Sequence, residues 1–178
     1  MTRHDDGVGG LETQIADNRA AVDEFIAAAR AIDEARWSAS RAEGAWTPAQ
    51  IAEHLAIVYE YNLTVVTGTA PSPIPRLVRP IIQRLARGMI VDSTLKAGRF
   101  TRKGRAPGMF QPSAAPSPQA EVLARLDAAV RRLEDHLRSR RAGAIDTIAH
   151  PIFGTLPTAN WMRVQAIHAR HHRAQLPA

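Results

Sequence analysis

The chain has 178 residues, a formal net charge of +6 and no cysteine. A single domain over 1–178 buries roughly 70% of the surface its unfolded chain exposes, so folding needs neither a disulfide nor a structural metal. The absence of cysteine excludes thiolate ligands, a cysteine nucleophile and a disulfide framework. The start, MTRHDDGVGG, is polar and Gly-rich, and no apolar run approaches the ~20 residues of a spanning helix. The expectation is a cytoplasmic protein with no membrane partner.

In chain order, Leu11, Ile15, Val22, Phe25, Ile26, Ala29 and Ile32 recur at helical spacing and predict a first helix ending near Arg36. Thr47-Pro48-Ala49-Gln50 combines an N-cap threonine, proline at the first helical position and glutamine at the third. That pattern predicts a capping box opening the second helix. Its inner face reads Ile51, His54, Leu55, Val58, Tyr61, Asn62 and Val65. Residues 71–118 then hold eight of the twelve prolines and cannot be one regular element. Within them Leu77, Ile81, Ile82, Leu85, Met89 and Ile90 suit one short helix, and 98–118 read as an extended, mobile loop.

A third long helix spans about Ser117 to Arg140, with Leu123, Leu126, Val130, Leu133 and Leu137 spaced alternately by three and four, as bundle packing asks. The last starts near Pro157-Thr158 and presents Trp161, Val164, Gln165, His168 and His172 on one side. No β pattern of useful length stands out. The expected fold is an all-α four-helix bundle with a basic, Pro-rich insert, 71–116, between the second and third main helices.

The basicity is local. Between 76 and 105, nine Arg and Lys residues face Asp92 alone, a net of +8 that leaves −2 for the rest of the chain. Phe100 is the only aromatic there, so the stacking platform of a single-strand binder is missing. With 21 Arg to 2 Lys, most arginines read as solvated surface. A nucleic-acid role through Arg99, Arg102 and Lys103 therefore ranks below a small-molecule one.

The chemistry concentrates in histidines. His168 and His172 are four residues apart and share one face of a helix. With His54 from another helix they would supply three neutral nitrogens and leave coordination positions open, as catalytic metal sites do. A lone His54 on an apolar face is also consistent with a hydrogen-bonded core histidine, and an HxxxH pair recurs by chance. Burying adjacent imidazoles is costly unless they are paired or metallated, which favours the metal reading. Trp161 and Gln165, one turn apart on the same face, are candidates to line a pocket, and Trp161 reads equally as a core residue. His150 reads as a supporting residue or a loop cap, and His171, about 100° around from His172, as supporting or surface. Glu53 reads as a surface or helix-pairing carboxylate.

The order WTPAQIAEHL at 46–55, HPIFGTLPTANW at 150–161 and HARHHRAQL at 168–176 resembles the DinB-like superfamily of metal-binding four-helix bundles. The likeness is specific at the second and fourth helices and weak over 71–116. It implies a divalent metal on His54, His168 and His172, with zinc first and nickel, manganese or iron open. It also implies a homodimer and a thiol-dependent isomerase or S-transferase using a low-molecular-weight thiol such as mycothiol or bacillithiol. Hydrolysis at a metal-bound water is a further reading, and the arginines of 71–116 could clamp an anionic small-molecule substrate. A non-catalytic metal-binding or stress-related bundle is the alternative.

Overall fold

The structure is a computed structural model that describes residues 5–101, 106–140 and 147–177. Helix α1 (Asp5–Arg30) stops before Arg36 because Asp33 caps a separate turn, α2 (Glu34–Trp37). Asp33 Oδ1 accepts from Arg36 N at 2.8 Å and Oδ2 from Arg36 Nε at 2.7 Å. An aspartate that takes up a free helical N–H favours such a restart, and the new turn buries Trp37. Helix α3 (Pro48–Val66) opens with the expected capping box: Gln50 N donates to Thr47 Oγ1 at 3.2 Å and Thr47 N to Gln50 Oε1 at 3.1 Å.

The connection between α3 and the next long helix is more ordered than its prolines suggest. Helix α4 (Arg79–Ala86), a π-helical turn (Arg87–Asp92) and α5 (Ser93–Ala97) follow one another directly, and Gly98 ends the run in the left-handed region at φ 64°. The remainder includes a 3₁₀ turn (Gly108–Phe110). Arg102, Lys103 and Arg105 lie outside the described residues. The end of the connection is tied to α3, where Ser113 N and Oγ donate to Glu53 Oε2 at 2.7 and 2.9 Å and Gln50 Nε2 donates to Ser113 O at 3.3 Å.

Helix α6 (Gln119–Arg140) precedes two short strands, β1 (Thr147–His150) and β2 (Gly154–Pro157), and α7 (Thr158–Arg173) follows at once. The strands pair antiparallel, with His150 opposite Gly154. Gly154 sits at φ 71°, the left-handed conformation that closes such a three-residue loop and that a side chain would strain. The all-α expectation is corrected here: four residues a side is too short for alternation to register in the sequence. Buried Ile148 and Leu156 nonetheless pin the hairpin to the bundle.

The four long helices pair as α1 along α7 and α3 along α6, with α1 also touching α6. Leu123, Leu126, Val130 and Leu133 of α6 are buried as the spacing requires. On α3 the inner face is broader than expected: Tyr59 is fully buried, its hydroxyl donating to Asn18 Oδ1 at 2.6 Å, and Val58 is half-buried. Charge pairs join the helices at their margins. Arg19 of α1 reaches Glu134 at 2.9 Å and Asp127 at 2.8 Å, and Arg125 of α6 binds Glu60 of α3 through two bonds of 2.7 and 2.6 Å. Among the described residues no helix is long and apolar enough to cross a membrane.

Candidate metal centre

Helices α3 and α7 approach each other less closely than the members of either pair, and three imidazoles meet in the space between them. The capping box sets the start of α3, so His54, on its second turn, points off the buried face next to Leu55. The hairpin sets the start of α7, which places His168 and His172 on the stripe that begins at Trp161. Their ligand atoms and that of His54 all lie within 4.8 Å of one another. His168 Nε2 is 3.3 Å from His54 Nε2 and 3.0 Å from His172 Nε2.

The tautomers of two of the rings follow from their outer hydrogen bonds. His54 Nδ1 donates to the Phe110 carbonyl at 2.7 Å, and His172 Nδ1 donates to Gln175 Oε1 at 3.0 Å. A neutral imidazole with its proton on Nδ1 presents a bare lone pair at Nε2. Two lone pairs therefore face His168 Nε2, which has at most one proton to offer between them. A cation resolves that conflict. Tetrahedral ligands at 2.0–2.1 Å from zinc stand about 3.3 Å apart, close to the two spacings here. Nitrogen donors of this kind fit a divalent transition ion, and each of the two Nδ1 bonds is of the sort that orients a ligating histidine.

Electrostatics keeps the rings neutral. Burial, then the nearby His54, lowers His172 to about 3, while the Gln175 bond opposes the shift. Burial, followed by the neighbouring histidines His172, His54 and His171, pushes His168 well below the usual imidazole value. His54 is lowered by burial against the opposing Phe110 bond. Unprotonated rings are the form that ligates.

Aromatic rings close the centre. Trp46 lies 4.9 Å from His54 and 6.4 Å from His172 between ring centroids, and Phe100 lies 5.4 Å from both His168 and His171. Phe100 and Phe110 both belong to the α3–α6 connection, which thus folds over the histidines. Of the arginines in this connection, Arg79 bonds the Ile74 carbonyl and Arg87 that of Thr155, while Arg99, next to Phe100, is exposed.

The other sequence candidates divide. Trp161 and Gln165 are buried on the ligand stripe, and Trp161 Nε1 and Gln165 Oε1 have no hydrogen-bond partner. His171 is exposed at the rim, where its Nε2 accepts from Gln175 Nε2 at 2.8 Å. His150 caps the hairpin loop, Nδ1 accepting from Ile152 N at 3.1 Å and Phe153 N at 3.3 Å. Its ring packs at tilted and edge-on angles among Trp161, Phe153 and Tyr61, and burial lowers it to about 4. Glu53 is a buried tether for Ser113, 4.0 Å from Arg125, and the surface half of its expected role is corrected. Sequence reasoning missed Gln175, Phe110 and Trp46. Gln175 follows His172 by three and His171 by four, a helical spacing that carries the signal; a loop carbonyl carries none.

The chain matches a family described as a protein of unknown function, DUF1569, over residues 17–178. It belongs to the DUF1569 family. The match takes in all three histidines of this member together with the connection that covers them. No curated protein matches the chain. Among solved structures it is similar to the crystal structure of TT2238, described as a four-helix bundle protein, at 26% identity and a TM-score of 0.54, covering 92% of this chain and 95% of that one.

Proposed function

We propose that this DUF1569 member is a DinB-like metalloenzyme in which His54, His168 and His172 hold one divalent ion, zinc in the first instance. The substrate in this proposal is a small molecule, and the nucleophile is an external low-molecular-weight thiol or a water. The observation that carries it is the inward convergence of three Nε2 atoms, two of them fixed as bare lone pairs by Phe110 O and Gln175 Oε1. An ion on three neutral imidazoles keeps its positive charge and lowers the pKa of a bound water or thiol toward neutrality.

The chain's own residues supply orientation and exclusion. Phe110 O and Gln175 hold the His54 and His172 rings in place, Trp46 shields the flanks of those two and Phe100 that of His168. Trp161 Nε1 offers a donor and Gln165 Oε1 an acceptor on the ligand stripe, which suits a substrate with polar groups of both kinds. A chain without cysteine has no thiol of its own to contribute, so the sulfur of a transferase reaction would come from the cosubstrate.

Metal content of the purified protein, followed by S-conjugation of an electrophile with a panel of small thiols, tests the reading. The expected result is about one equivalent of metal and turnover with one thiol class, both lost in His168→Ala. Metal without turnover, whether by thiol transfer or by ester and amide hydrolysis, would leave a non-catalytic binding protein. Metal content equal to the parent in all three His→Ala variants would end the assignment.

A further inference from the structure

The run from α4 through the π-helical turn faces the wrong way for an ordinary surface helix. Its polar row turns inward: Gln83 Nε2 donates to the Pro151 carbonyl at 3.0 Å, and Arg87 donates to the Thr155 carbonyl at 2.9 Å. Its apolar rows turn outward. Leu77 is 92% exposed, Ile81 66%, Leu85 58% and Met89 45%, with Val78, Ile82 and Ile90 exposed beside them. Every exposed large hydrophobic of the described residues except Met109 falls within 77–90, from the two residues just before α4 to the π-helical turn. A contiguous patch of this kind marks a surface that something covers.

Charge selects the occupant. Arg76 and Arg84 are exposed on this run, and Lys96 and Arg99 follow beyond it. The single carboxylate of the stretch, Asp92, is already 3.5 Å from Arg87. A second copy placing the same face against this one would add a rim of like sign, which disfavours an isologous pairing. An anionic bilayer surface accepts both halves: the apolar rows enter the boundary of the acyl chains while the arginines lie level with lipid phosphates.

We propose that the outward face of residues 77–90 docks this protein on an anionic lipid surface. This departs from the expectation, set by composition, of no membrane partner. It is independent of the metal reading, so His168→Ala is expected to bind lipid like the parent protein.

The test is co-sedimentation of the full chain with vesicles of phosphatidylglycerol and phosphatidylcholine, against vesicles of phosphatidylcholine alone. Binding to the anionic vesicles is expected, weakening as salt rises. The double change Ile81→Glu and Leu85→Glu lowers the apparent affinity at least about tenfold, and Arg84→Gln lowers it about fivefold. These positions are exposed, so circular dichroism should be unchanged. Partition no better into anionic than neutral vesicles, or undiminished binding by the double variant, overturns the proposal. So does a dimer by light scattering that Ile81→Glu dissociates, since the face would then be a protein interface.

Discussion

Zinc added to metal-free protein should raise its melting temperature, and the size of the rise follows from the centre's geometry. Two of the three donor spacings, 3.3 and 3.0 Å, already approximate a tetrahedral set, so little rearrangement opposes binding, and the ion binds the folded state far better than the unfolded one. At a free metal concentration about a thousand times Kd, linkage gives about 4 kcal/mol. For a chain of 178 residues that corresponds to a shift of about 11 °C. Differential scanning calorimetry with zinc, nickel and manganese, each against a chelator control, reads this directly. His54→Ala, His168→Ala and His172→Ala should each abolish most of the shift. Because burial already holds His172 down to about 3, the shift should persist well below pH 6.5, where exposed imidazoles protonate. A parent protein whose melting temperature ignores all three metals, or a triple variant that keeps the shift, refutes the argument.

The hairpin cap gives a pH signature. With His150 lowered to about 4 against an unfolded value near 6.5, the unfolded chain takes up the proton first. Stability therefore falls as pH falls from about 6.5 to 4, by about 3 kcal/mol from this residue; urea titrations should show a correspondingly smaller acid loss in His150→Asn, and an equal loss would count against the buried ring. Tyr59→Phe removes the hydroxyl that donates to Asn18 Oδ1 in a fully buried setting and should cost about 1–3 kcal/mol by chemical denaturation. Gln175→Leu frees His172 Nδ1 from its acceptor and should weaken metal binding about 10–100-fold in a competition titration while the protein stays folded. Glu53→Ala releases Ser113 N and Oγ, so limited proteolysis should cut the α3–α6 connection faster than in the parent, and an unchanged rate would show that the tether is redundant.

The long helices were legible because their signals are local. The capping box at Thr47 and the stripe from Leu123 to Leu137 depend on residues within one or two turns. The pairing of His168 with His172 was legible for the same reason, since four-residue spacing on a helix fixes a shared face. Less visible were the hairpin, too short to show its period, and the polarity of the run at 77–90. The sequence marks that run as amphipathic, but its polar row faces in because Gln83 and Arg87 find carbonyls of the hairpin, at Pro151 and Thr155, some 70 residues away in the chain.

Short-range patterns in the sequence were thus enough for the cores of the four long helices and for which imidazoles share a helix face. That His54 meets them follows from long-range packing, since the contact joins residues 114 positions apart. The tertiary structure also decided the tautomers, through a loop carbonyl at Phe110 that no side-chain pattern encodes. The physical reason is range: caps and periodicity act within a turn or two, whereas the centre depends on two helix pairs packing so that α3 and α7 leave room for three rings.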